Sequence, residues 1–133
     1  MKDFTAWLSE QDVSIQYLNT KLVKQHADTG LQKRIASEGY GSFLLSQQNS
    51  DGHWGKYYYQ PKWTSTHYTL LQLKDCGISP DHPACREIIF RMIEECQLSD
   101  GGLNLAKSEM ASDICVDGMI LNYASYFISE SEK

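Results

Sequence analysis

The side chains in this sequence with the most chemistry to offer are aromatic. Trp54, Tyr57, Tyr58, Tyr59, Trp63 and Tyr68 fall within residues 54–68, and Tyr123 and Tyr126 follow further on. An aromatic face presents the negative lobe of a quadrupole, so such a set can line an apolar pocket, hold a lipid-like chain or stabilise a cation. The same rings can simply fill a core. Trp54, Trp63, His67, Tyr68 and Tyr123 are the candidate pocket residues, His67 beside Tyr68 either lining a pocket or satisfying a polar contact. Asp113 and Cys115 put a carboxylate and a thiol two residues apart. On a regular helix such positions face different sides. Asp113 or Ser112 is therefore expected as an N-cap, with Cys115 just inside the helix as a small buried hydrophobe. No pair of carboxylates is placed to face a cleft, which argues against glycosidase chemistry. His26, His53 and His82 have no partner that spacing identifies.

The chain has 133 residues, the size of one small domain, and 41% of them are hydrophobic, an ordinary share for a protein with a packed core. Twelve Lys and Arg stand against 17 Asp and Glu, giving a net charge of −5. A mildly acidic surface without a basic run speaks against nucleic-acid binding. The first twenty positions mix acids and polar residues, unlike a signal peptide, and no 18-residue apolar stretch exists to span a membrane. Cys76, Cys85, Cys96 and Cys115 contain no CxxC pair. Reduced thiols in the cytoplasm are the expectation.

These residues sit on a repeat. Aligning "FLLSQQNSDGHW" (43–54) with "MIEECQLSDGGL" (92–103) pairs Gln48 with Gln97, Ser50 with Ser99, Asp51 with Asp100 and Gly52 with Gly101, always 49 positions apart. The offset continues without a gap through Thr66 with Cys115, Leu70 with Met119 and Leu71 with Ile120. Each copy reads as helix, Gly-containing loop, helix. The first helix of copy two follows an Asp81 N-cap and Pro83 in the first turn. Its apolar stripe is Ala84, Ile88, Ile89, Met92, Ile93 and Cys96, with Glu87, Arg91, Glu94 and Glu95 largely off the stripe. Residues 112–128 are apolar nearly all round, as is the shorter counterpart 65–73, and both are expected to be buried on every side. Copy one draws its first helix from about Asp28 to Gln47, weakened in the middle by Gly39 and Gly41. Another helix is expected over about Phe4–Lys24, either the inner helix of a preceding half-repeat or a cap. The fold class that follows is all-α: one domain over 1–133, about two and a half helical hairpins with alternating outer and inner helices, a partial α/α toroid.

"GYGSFLLSQQNSDGHWG" resembles the QW motif of squalene and oxidosqualene cyclases, with Gly39, Phe43, Gln48, Gly52 and Trp54 at matching positions; copy two has Leu103 where Trp would stand. "DGGLNLAKSEMASDICVDGMILNYASYF" resembles the β subunits of protein prenyltransferases. The resemblance to this prenyltransferase and squalene-cyclase superfamily implies an α/α toroid. It also implies zinc ligation by residues matching Asp113 and Cys115. A His belongs to that set one repeat later in the family; here the family-like position falls on His67, one repeat earlier. Zinc would then be held by Asp113, Cys115 and His67, with one position open. The DxDD acid motif of squalene-type cyclases and the Cys-Gly-Glu-Gln thioester motif of complement-like toroids are absent. A closed ring needs about six hairpins, roughly 294 residues at this repeat length. Association with other copies, or with further repeats, is therefore expected. The functional expectation is a non-catalytic binding or interaction module with a hydrophobic pocket for an isoprenoid, a lipid or a protein. The alternative is an isoprenoid-handling enzyme, for prenyl transfer or terpenoid cyclisation, that uses zinc.

Overall fold

A computed structural model of the chain describes residues 3–106 and 111–129. Its elements are α1 (Phe4–Ser9), α2 (Val13–Leu18) running into a π-helical segment Asn19–Val23, α3 (Thr29–Arg34), α4 (Gly39–Ser46), α5 (Thr66–Cys76), α6 (Pro83–Cys96) and α7 (Ile114–Phe127). The described residues form no strand, only one isolated antiparallel bridge between Gln97 and Leu103. The protein is thus all-α, as expected, and none of the described helices is long and apolar enough to cross a membrane. Lys107, Ser108, Glu109 and Met110, inside the prenyltransferase-like stretch, lie outside the described residues, as do positions 1–2 and 130–133 of the 1–133 domain assignment.

The chain divides into two compact units, Met1–Gln47 with Leu73–Ser79, and Gln48–Gln72 with Pro80–Lys133. In the first, Val13, Tyr17, Ile35, Leu44, Leu73 and Ile78 are buried. The single helix expected over 28–47 is instead two. The break covers residues 35–38, and α4 opens on Gly39, whose φ of +64° belongs to the left-handed region. A long-range contact holds the junction. The Asp12 carboxylate accepts from Ser14 N at 2.9 Å to cap α2, and from Tyr40 N at 2.8 Å to hold the start of α4. A Cβ on Gly39 would collide with that carboxylate. The last turn of α5 ends at Gly77 (φ +82°), with Gly77 N bonded to Lys74 O at 2.9 Å and Ile78 N to Leu73 O at 3.2 Å, a Schellman closure. The Tyr17 ring lies against Gly77, and Gln32 Nε2 donates to its carbonyl at 3.1 Å.

In the second unit the 49-residue repeat is written into backbone bonds. Asn49 N bonds to His53 O at 2.8 Å, and Leu98 N to Gly102 O at 2.8 Å. Gly52 N reaches Asn49 O at 2.9 Å, and Gly101 N reaches Leu98 O at 3.0 Å. Asp51 Oδ1 accepts from His53 N at 2.9 Å, and Asp100 Oδ1 from Gly102 N at 3.0 Å. Gly52 and Gly101 share φ values of +87° and +89°. Each Asp–Gly pair thus builds the same turn, the Asp through its own backbone and the Gly through its freedom at positive φ. α6 starts one residue later than expected, with His82 at the cap and Pro83 at N1, and buries Cys85, Ile88, Ile89, Met92 and Cys96 along one stripe. Arg86 Nη1 donates to Phe127 O at 2.6 Å, satisfying a carbonyl at the end of α7.

Of the two stretches expected to be enclosed, 65–73 is so over its first six residues, with Leu71 and Gln72 part-exposed. Ser65 through Leu70, which run into the first turns of α5, are all buried. The other is not. α7 buries Ile120, Tyr123 and Phe127 on one side, but Ile114 and Leu121 are 87% and 69% exposed, and Cys115, Gly118, Asn122 and Ser125 are exposed beside them. Apolar composition alone does not decide burial; a neighbour must be present to cover the face.

Candidate functional site

Of the aromatic cluster of the second unit, Trp54, Tyr58, Tyr68 and Tyr123 are packed into the core. Trp54, His67, Tyr68 and Tyr123 are buried, at 1%, 0%, 8% and 0% exposure, while Trp63 is 66% exposed. Thr66 anchors the loop: its Oγ1 accepts from Trp54 N at 3.1 Å and lies 3.2 Å from His53 Nδ1. His67 N donates to Tyr58 O at 2.8 Å, so an orphan donor at the start of α5 is met by the loop. The His67 ring meets Tyr59, Tyr68 and Tyr123 with centroids 5.0–5.6 Å apart.

His67 and Tyr123 join the two copies chemically. Tyr123 Oη lies 3.2 Å from Met92 Sδ and 3.3 Å from His67 Nδ1, within hydrogen-bond reach of both. His67 Nε2 is buried with no hydrogen-bond partner among the described residues. Burial drives the His67 pKa down to about 4, so the ring is neutral at pH 7. Burial likewise raises the Tyr123 phenol far above its ordinary value.

A second network centres on Arg91 of α6. Its Nη1 donates to Asp51 O at 2.8 Å, and Nε lies 3.5 Å from Glu95 Oε1 and 3.4 Å from Tyr58 Oη. Tyr58 Oη in turn donates to Glu95 Oε2 at 2.9 Å. Arg91 thereby ties the Asp51 turn of copy one to α6 of copy two. Gln48, the motif glutamine, bonds within its own loop, Nε2 to Gly52 O at 2.9 Å. Sequence places Arg91 off the apolar stripe and no further; its signal there is a cation facing away from the core.

Asp113 is the N-cap of α7, accepting from Cys115 N at 2.8 Å. Cys115 is exposed, which corrects the expectation of a buried thiol. His67, by contrast, is enclosed. The structure does not draw Asp113, Cys115 and His67 into a ligand set: among the described residues no three His, Cys, Asp or Glu side chains are grouped to hold a metal. Cys115→Ser should therefore change stability by no more than about 0.5 kcal/mol. Asp113→Ala should cost about 1 kcal/mol through the lost cap, and Asp113→Asn much less. Urea titration reads all three. An aromatic disulfide reagent at neutral pH should modify Cys115 first, because burial raises the thiol pKa of Cys76, Cys85 and Cys96, that of Cys85 to about 12.

Two hollows adjoin these elements. One, of about 160 Å³, is lined by Tyr59, Leu103, Asn104, Leu105, Ala106, Ala111, Asp113 and Val116. The other is an open groove of about 380 Å³ along α6 and α7, with Ile93, Gln97, Leu103, Ile120, Leu121 and Ala124 among its walls. No protein-family model matches this chain, and neither a curated protein nor a solved structure matches it.

Proposed function

We propose that this chain is a non-catalytic binding module built from α/α-toroid hairpins of the prenyltransferase and squalene-cyclase kind, and that it works by stacking on further copies of itself. The observation that carries the reading is the duplicated turn, two Asp–Gly loops with the same three bonds at a fixed 49-residue offset. A unit that repeats in bonds as well as letters buries its faces by stacking on its neighbours. The exposed flank of α7 fits this. Ile114, Cys115, Gly118 and Leu121 align with Ser65, Thr66, Thr69 and Gln72, of which the first three are at most 3% exposed. One copy is covered where the other is open, and the open one carries the apolar groove. Nothing in the geometry favours the isoprenoid-converting alternative. The carboxylate beside the cavity, Asp113, is engaged as a cap, and the neutral His67 sits in the core.

Light scattering across a size-exclusion peak tests the reading between about 5 and 500 μM protein. The expected result is a mass that rises with concentration. Leu121→Glu, which places a charge on the open flank without touching the core, should shift the population toward monomer at least tenfold in dissociation constant. A wild-type protein that is monomeric throughout this range would sink the stacking reading.

A further inference from the structure

The first helix of each copy carries its apolar stripe at the same register, and the two stripes end differently. In copy two, α6 buries Ile89 and Met92 completely. In copy one, the residues 49 positions earlier on α4 are Tyr40 and Phe43, and they are 46% and 55% exposed. Their rings stack on each other, with centroids 6.0 Å apart and planes 22° from parallel. Paired rings shown to water are an apolar patch of the kind that marks a contact surface. What differs between the copies is the cover. Met92 lies under α7, the second helix of its copy, with Tyr123 Oη 3.2 Å from its Sδ. The residue that matches Tyr123 in copy one is Lys74. Its ammonium stands 3.7 Å from Asp75 Oδ1, and a lysine keeps that head in water rather than closing over a stripe of rings. The α4 stripe is thus left showing, and so is the apolar flank of α7 at Ile114 and Leu121.

From this we infer that the aromatic stripe of α4 is the surface that receives the open flank of α7 from a second copy, so that the chain associates head to tail. The inference rests on the stacking reading and names the partner surface which that reading leaves open. α4 of one copy and α7 of the next pair across the contact as α6 and α7 pair within the chain: the stripe of a first helix against the side chains of a second. Such a contact is heterologous, because it joins two different patches. Each dimer keeps one unused α4 stripe and one unused α7 flank, so growth continues past two copies. An α7-on-α7 contact would instead be self-complementary and stop at the dimer.

Complementation between two surface variants tests the direction of the contact. Phe43→Glu spoils the α4 stripe alone and Leu121→Glu the α7 flank alone, each at an exposed position. Sedimentation velocity of the intact chain reads the outcome. Each variant by itself should dissociate at least tenfold more readily than wild type, since every contact needs both faces. An equimolar mixture of the two should recover association, because the intact flank of Phe43→Glu meets the intact stripe of Leu121→Glu. It should stop at a heterodimer, as both remaining faces carry the new charge. A chain with both substitutions should join neither single variant. Phe43→Ser repeats the arm should circular dichroism show that the glutamate disturbs folding. Association of Phe43→Glu at the wild-type strength, or a mixture no more associated than its components, would overturn the inference. Wild type that associates while Phe43→Glu does so equally well condemns the head-to-tail contact alone; wild type that stays monomeric condemns the stacking reading itself.

Discussion

Gly77→Ala should be among the most damaging single-methyl changes in this protein, lowering stability by about 3 kcal/mol. The position sits at φ +82°, where a non-glycine residue costs roughly 1–2 kcal/mol. The added Cβ would also stand 2.5 Å from two carbons of the buried Tyr17 ring. Forcing that ring aside overpacks a core and adds roughly 1–3 kcal/mol. The control lies in the repeat. Gly101 has a φ of +89°, but a methyl added there would meet no atom of the described residues within 4 Å, so Gly101→Ala should show the conformational cost alone. Urea unfolding of the two variants measures the difference. Similar midpoints would mean that Tyr17 yields without cost and that its contact with the Leu73–Ser79 segment is not a tight one.

Acid should destabilise the protein well before its carboxylates titrate, and His67 should be the main reason. The unfolded chain takes up a proton at this histidine near pH 6.5, the folded chain only near 4. Between those values unfolding binds a proton, so stability is full above about pH 7 and falls as pH drops toward 4. The loss through His67 is on the order of 3 kcal/mol across that window. Burial also lowers the pKa of His82, which adds in the same direction. Asp12 acts lower down. Burial works against its charged form, but the bonds from Ser14 N and Tyr40 N prevail and hold it below 3.8, so its contribution is lost only in stronger acid. Denaturant midpoints at pH 7, 5.5 and 4.5 for wild type and His67→Gln make the check. The variant should lose most of the slope between pH 6.5 and 4.5. An unchanged slope would show that His67 is not the buried neutral base described above.

What sequence can and cannot disclose follows from how far each determinant reaches. The Asp51–Gly52 and Asp100–Gly101 turns are legible because they depend on neighbours in the chain. The α6 stripe is legible because 3.6-residue spacing is local too. The start of α4 at Gly39 is not, since the contact that holds it comes from Asp12, 27 positions earlier. The His67–Tyr123 bond escapes for a related reason: it spans 56 residues, not the 49 of the repeat, so alignment of the copies cannot pair them. The aromatic residues of the loop are conspicuous, but residue type does not separate a ring that walls a pocket from one that fills a core. Of these rings Tyr59 is the one that lines the small hollow, and nothing in its spacing sets it apart from its neighbours. The open flank of α7 is hidden because its composition matches that of a covered helix.

The paired turns also bear on how the protein ages. An Asp–Gly peptide is prone to rearrange to isoaspartate when the glycine nitrogen attacks the aspartate carboxyl and closes a five-membered imide. Here both glycine nitrogens are engaged with carbonyls at 2.9 and 3.0 Å, and one oxygen of each carboxylate is held by an N–H two residues on. The folded chain keeps both reactants occupied, while the unfolded chain releases them. Isoaspartate at positions 51 and 100 would therefore accumulate in proportion to the time each molecule has spent open, a slow chemical clock of unfolding carried twice in one polypeptide.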